Sequence, residues 1–158
     1  MDINILDYLE EKNVILGINQ KNKKNTISFL LDNLIVTKKI KPDSKKDLLK
    51  LIMQREDMGS TAIGGHIALP HVRTDQVKDV VICFGVSDSG IEFDSLDQAP
   101  VHVVVLLLSN QKQAGLHLKT LALLAKLLKD KYFIQRLRKI EDKDLLLKLI
   151  SKQQLAVV

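Results

Sequence analysis

Residues 101–108 read VHVVVLLL, eight positions at which His102 is the sole polar side chain. Such a strand is apolar on both faces, so it needs cover on both faces and belongs in the middle of a sheet. Outward from it, 79–86 (DVVICFGV) is a second apolar run of strand length, and Val14–Ile18 is a third, β-rich and bounded by polar residues. Between 86 and 101 the residues Ser87-Asp88-Ser89-Gly90 predict a turn-rich loop that continues through IEFDSLDQAP. Ile5–Leu9 is a short apolar turn or helix.

The remaining segments are helical. Asn22 is placed to cap a helix through Val36, in which Ile27, Leu30, Leu31, Leu34 and Ile35 recur on one face. After the break at Lys41-Pro42, Asp43 or Ser44 caps a second helix to about Arg55, with Leu48, Leu49, Ile52 and Met53 inward. Residues 114–129 form a strong amphipathic helix, followed by helices over 131–139 and 141–151. Central strands apolar on both faces, with helices before and after them, predict a three-layer α/β/α sandwich. Residues 1–158 read as a single domain, without internal repeat or low-complexity tail.

Composition narrows the function classes. With 46% hydrophobic and 27% charged residues the chain has an ordinary globular balance. The one cysteine, Cys83, permits no internal disulfide, which agrees with a reducing compartment. The first residues carry acidic side chains and no long apolar run, so no signal peptide is read there. No stretch approaches the ~20 apolar residues of a membrane span. A cytoplasmic location without membrane insertion is expected. The net charge is +5, and Lys38, Lys39, Lys41, Lys45 and Lys46 form the densest basic cluster. That cluster lies at a helix junction and lacks interleaved aromatics, so no nucleic-acid partner is expected.

The chemistry-bearing residues concentrate in 54–73, QREDMGSTAIGGHIALPHVR. Gly59, Gly64 and Gly65 loosen the backbone and Pro70 stiffens it. The triplet Ile67-Ala68-Leu69 reads as a short buried strand delivering His71 to a surface loop. A neutral imidazole beside the guanidinium groups of Arg55 and Arg73 and the hydroxyls of Ser60 and Thr61 suits receiving a phosphoryl group. The other histidines differ. His102 reads as a hydrogen-bonded structural residue. His66 reads as packing close to the site. His117 stands in the first turn of the 114–129 helix, where positive partial charge favours a neutral ring and attracts anions. There is no GxSxG elbow, P-loop or dinucleotide fingerprint. His66 and His71 are five apart, a spacing that gives no regular metal site, so neither metal nor cofactor is expected.

The run from Arg55 through GST and the glycine turn to I-A-L-P-His71 resembles the signature of the type-2 enzyme IIA domains of the bacterial phosphoenolpyruvate-dependent phosphotransferase system, the fructose, mannitol and nitrogen-regulatory family. The likeness continues through IEFDSLDQAPVHVVVLLL and HLKTLALLAKLLKD to the C-terminal helices. It implies a mixed central sheet flanked by helices. It implies that His71 accepts a phosphoryl group from an HPr-like phosphocarrier, that His117 binds that group or orients the acceptor, and that Arg55 offsets its charge. Ile63, Leu69 and Val72 would form an apolar docking rim. Two functions stay open. One is a nitrogen-type regulatory phospho-switch acting on target proteins, favoured by the IEFDSLD loop and by a chain without fused IIB or IIC parts. The other is a sugar relay that passes phosphate to a IIB domain. The chain departs from many relatives in having Val72 rather than Gly after the acceptor, and Gly65-His66 rather than Asn-Gly.

Overall fold

The computed structural model describes residues 3–157. The strands are β1 (Val14–Ile15), β2 (Ile67–Ala68), β3 (His71–Arg73), β4 (Val81–Ile91) and β5 (Val101–Ser109). The helices are α1 (Lys23–Val36), α2 (Lys45–Asp57), α3 (Ala114–Leu128), α4 (Lys131–Arg138) and α5 (Lys143–Val157). The sheet order is β1-β4-β5-β2, with β3 also pairing with β5. β4 runs antiparallel to β5 and the other pairs are parallel, so the sheet is mixed.

β5 occupies the middle of this sheet and every one of its residues is buried. Its side chains alternate between two cores, as a strand period of two requires. Val103, Val105 and Leu107 join the core under α3, α4 and α5, together with Leu124, Phe133 and Leu146. Val104, Leu106 and Leu108 join the core under α1 and α2, together with Ile27, Leu30 and Ile52. The three layers follow directly from this double burial.

Local signals hold in part. Asn22 caps α1 by accepting from Asn25 N at 2.9 Å. Ser44 precedes α2 but makes no side-chain capping bond, because Pro42–Ser44 forms a 3₁₀ turn that leads straight into the helix. The segment Ser87–Gly90, expected to be a loop, lies inside β4, which continues to Ile91 through a register shift after Val86. A bulge absorbs the extra residues. Gly90 has φ +88°, and a Cβ there would stand 2.9 Å from Pro100 Cβ, so the bulge requires glycine. α5 runs to Val157, past the expected end near Ser151. Two of the clustered lysines form ion pairs, Lys39 with Glu10 and Lys45 with Asp32. No helix among the described residues is long and apolar enough to cross a membrane.

Candidate functional site

Pro70 has no N–H to offer the ladder, so it separates β2 from β3 while its carbonyl still accepts from Leu107 N at 3.0 Å. The strand resumes at once. His71 is therefore the first residue of β3, paired with Leu107, and not part of a surface loop. The turn brings its ring back over the preceding residues, and Nδ1 lies 2.7 Å from the Leu69 carbonyl oxygen. A carbonyl only accepts, so Nδ1 carries the proton and Nε2 keeps a free lone pair. Burial pulls the His71 pKa below its ordinary value and the Arg55 charge adds to this, while the Leu69 bond and Glu56 oppose it. The ring is neutral at neutral pH.

His117 comes from the other end of the sequence. It lies one turn into α3, its N–H bonded to the Gln113 carbonyl at 2.9 Å. Its ring is buried and its centroid stands 5.6 Å from that of His71, with the planes tilted by 46°. Nδ1 lies 2.7 Å from Ser109 Oγ. Burial, then His71 and Arg73, lower its pKa to about 4. Gln113 provides no side-chain cap for the first-turn amides of α3.

Arg55 stands in the last turn of α2, half-buried, with Nη1 donating to the Gly59 carbonyl at 2.9 Å. Its charge reaches His71. The neighbouring Glu56 is buried and anchors the segment that follows: it accepts from Thr61 Oγ1 at 2.6 Å and pairs with Lys23 at 3.4 Å, and Lys23 also meets Asp94. Arg73 closes β3 opposite Ser109 and is exposed. The site thus gathers two neutral imidazoles and two guanidinium groups, a set whose chemistry suits an oxyanion beside a ring nitrogen.

Other expectations are corrected. His66 is not near this site. Its carbonyl accepts from His102 N and Val103 N, at the opposite end of β5 from Leu107. There its ring packs edge-on to His102 with centroids 5.5 Å apart. His66 Nδ1 bonds the Pro100 carbonyl and His102 Nδ1 bonds the Ser87 carbonyl, each at 2.8 Å. Leu69 and Val72 are buried and belong to the two cores, because inward-facing strand positions are taken by the sheet's own packing. Ile63 is exposed but precedes the His66 end. The exposed apolar residues adjoining the site in sequence are Met58, after α2, and Leu118, beside His117. Ser109 was missed. Its signal was a hydroxyl ending a strand whose other polar side chain is His102, eight residues before His117.

A surface groove of about 710 Å³ between Tyr8, Lys39, Pro42 and Val80 contains neither His71 nor His117. Among the described residues no group of three or more His, Cys, Asp or Glu is placed to hold a metal ion.

Comparison with known proteins adds the family. The model for "Phosphoenolpyruvate-dependent sugar phosphotransferase system, EIIA 2" matches residues 7–153. The chain is 30% identical over 148 residues to the PTS system fructose-specific EIIABC component of Bacillus subtilis, covering 94% of this chain but only 23% of that protein. It is 28% identical over 138 residues to the nitrogen regulatory protein of Bradyrhizobium diazoefficiens, covering 87% of this chain and 88% of the relative. The crystal structure of nitrogen regulatory protein IIA-Ntr from Neisseria meningitidis superposes with a TM-score of 0.79 at 24% identity, covering 92% of this chain and 98% of that one. That likeness concerns the fold.

Proposed function

Because this chain belongs to the type-2 EIIA family of the phosphotransferase system, whose members transfer phosphoryl groups, we propose that His71 is its phosphoryl acceptor and that an HPr-like phosphocarrier is the donor. The observation that carries this reading is the His71–His117 pair: two neutral rings 5.6 Å apart, with Nδ1 of His71 held by Leu69 and Nε2 left as nucleophile. In-line attack by Nε2 places three phosphoryl oxygens among His117, Arg55 and Arg73. The guanidinium groups offset charge on those oxygens, and His117 supplies a polar contact. Positioning does most of the work, since no proton has to be removed from an already neutral nucleophile. Met58 and Leu118 offer apolar contact to the carrier.

The phosphorylated protein acts as a nitrogen-type regulatory switch that targets read through the state of His71. The match to a nitrogen regulatory protein along 88% of its length supports this. A second reading, relay of the phosphate to a IIB partner during sugar uptake, is favoured by the likeness to a fructose-specific component. Incubation with phosphorylated HPr tests the acceptor: labelling of wild type and none of His71→Ala is expected, and undiminished labelling of that variant refutes the assignment. Adding a sugar-specific IIB to the labelled protein separates the two roles. Rapid onward transfer favours the relay, and a retained phosphate favours the switch.

A further inference from the structure

We infer that Ser109 is a positioning residue that sets the tautomer of His117, keeping its proton on Nε2 so that the ring presents an N–H donor beside the bare Nε2 of His71. The inference rests on His71 as acceptor for its functional meaning, but its structural content stands independently.

Ser109 is the last residue of β5 and is fully buried. Its backbone is held on the sheet: it pairs with Arg73, and its carbonyl accepts from Thr74 N at 2.7 Å. Its Oγ has one hydrogen-bond partner among the described residues, His117 Nδ1 at 2.7 Å. Two proton arrangements are conceivable. If Nδ1–H donated to Oγ, the hydroxyl proton would be left without an acceptor in a place closed to solvent. A buried unsatisfied donor is costly, and a hydroxyl can rotate to avoid it. If the hydroxyl donates to Nδ1, both groups are satisfied. The second arrangement leaves Nδ1 bare and places the imidazole proton on Nε2.

His71 has the opposite arrangement, because its anchor is a carbonyl that must accept. The two rings therefore carry complementary tautomers, a lone pair on one Nε2 and a proton on the other. Burial and the neighbouring His71 and Arg73 keep His117 from taking a second proton at neutral pH, so the tautomer is not masked. In the transfer, the His71 Nε2 lone pair forms the new N–P bond while the carrier's N–P bond breaks and its electron pair returns to the carrier's ring nitrogen. The Nδ1 proton of His71 stays on the Leu69 bond. His117 keeps its Nε2 proton and donates only a hydrogen bond to a phosphoryl oxygen.

Long-range proton–nitrogen NMR on the full, unphosphorylated chain near neutral pH reads both tautomers directly. The expected result is His117 protonated on Nε2 and His71 protonated on Nδ1. Protonation of His117 on Nδ1 overturns the inference, and this readout needs no variant. In Ser109→Ala the His117 tautomer becomes mixed, and transfer from phosphorylated HPr slows about tenfold, less than the ~10²–10³ expected for deleting a donor outright, because part of the population keeps the productive form. Ser109→Thr restores both readouts. A Ser109→Ala protein with the wild-type tautomer, whatever its rate, also overturns the inference. Labelling that survives in His71→Ala refutes the acceptor assignment while leaving the tautomer result intact, so the two failures are distinguishable.

Discussion

Two histidine pairs sit at opposite ends of β5 with almost the same separation, 5.6 Å for His71 and His117 and 5.5 Å for His66 and His102. In each pair both Nδ1 atoms are tied to an anchor on the protein. The anchors differ. His66 and His102 both face carbonyls, so both rings hold the proton on Nδ1. His71 faces a carbonyl and His117 a hydroxyl. The surroundings differ as well. Arg55 and Arg73 lie around the first pair, whereas Asp97 stands by His66, and His102 has both Arg138 and Asp88 for neighbours. Proximity of two imidazoles does not make a phosphoryl site. The His71 pair is set apart by its unlike anchors and by two guanidinium groups, opposed by Glu56.

The sharpest way to break this comparison is to exchange the roles of its ends. His71→Ala should abolish labelling by a phosphorylated phosphocarrier, while His66→Ala should stay within about twofold of wild type, as expected for a residue outside the reacting set. Loss of labelling in His66→Ala would erase the distinction. Removing charge comes next: Arg55→Ala should slow transfer by roughly 10²-fold, the scale of a lost electrostatic stabiliser, with only a small change in thermal midpoint. Unchanged kinetics would leave Arg55 as a support for Gly59 alone.

Stability should show the reverse pattern. His102 is buried and fills the Ser87 carbonyl, so His102→Ala should cost about 1–3 kcal/mol in denaturant unfolding yet leave labelling in place. A fully stable His102→Ala protein contradicts the structural role. The smallest effect is on pH dependence. His71, His102 and His117 all bind a proton more weakly folded than unfolded. Each therefore contributes stability that is present above its unfolded pKa near 6.5 and lost as pH falls below it. For His117 the loss levels off beneath about 4. Unfolding free energies measured across this window should fall with acid, and His117→Asn should flatten the slope. An unchanged slope would mean that His117 titrates normally.

Much of the scaffold was legible in the sequence because its cause is local. The all-apolar run of β5 demanded cover on two faces, and the i, i+3, i+4 spacing of α1 placed Ile27, Leu30, Leu31 and Leu34 in the core. Asn22 capped where its side chain could reach Asn25 N. Ser87–Gly90 misled because turn-forming residues also serve in a bulge, and only the partner strand decides which. His66 misled for a related reason: closeness along the chain to His71 becomes distance along β5 once register is set.

The sequence by itself determined which residues could do the chemistry and which segments had to be buried, since side-chain type and hydrophobic period are properties of the chain. Tertiary structure decided which histidines meet. The parallel pairing of β3 with β5 and the entry of α3 after Ser109 bring His117 to His71 across 46 residues of chain, and the same pairing removes His66 to the far end. It also decided the anchors, a carbonyl for one ring and a hydroxyl for the other, because hydrogen-bond partners depend on where backbones come to rest.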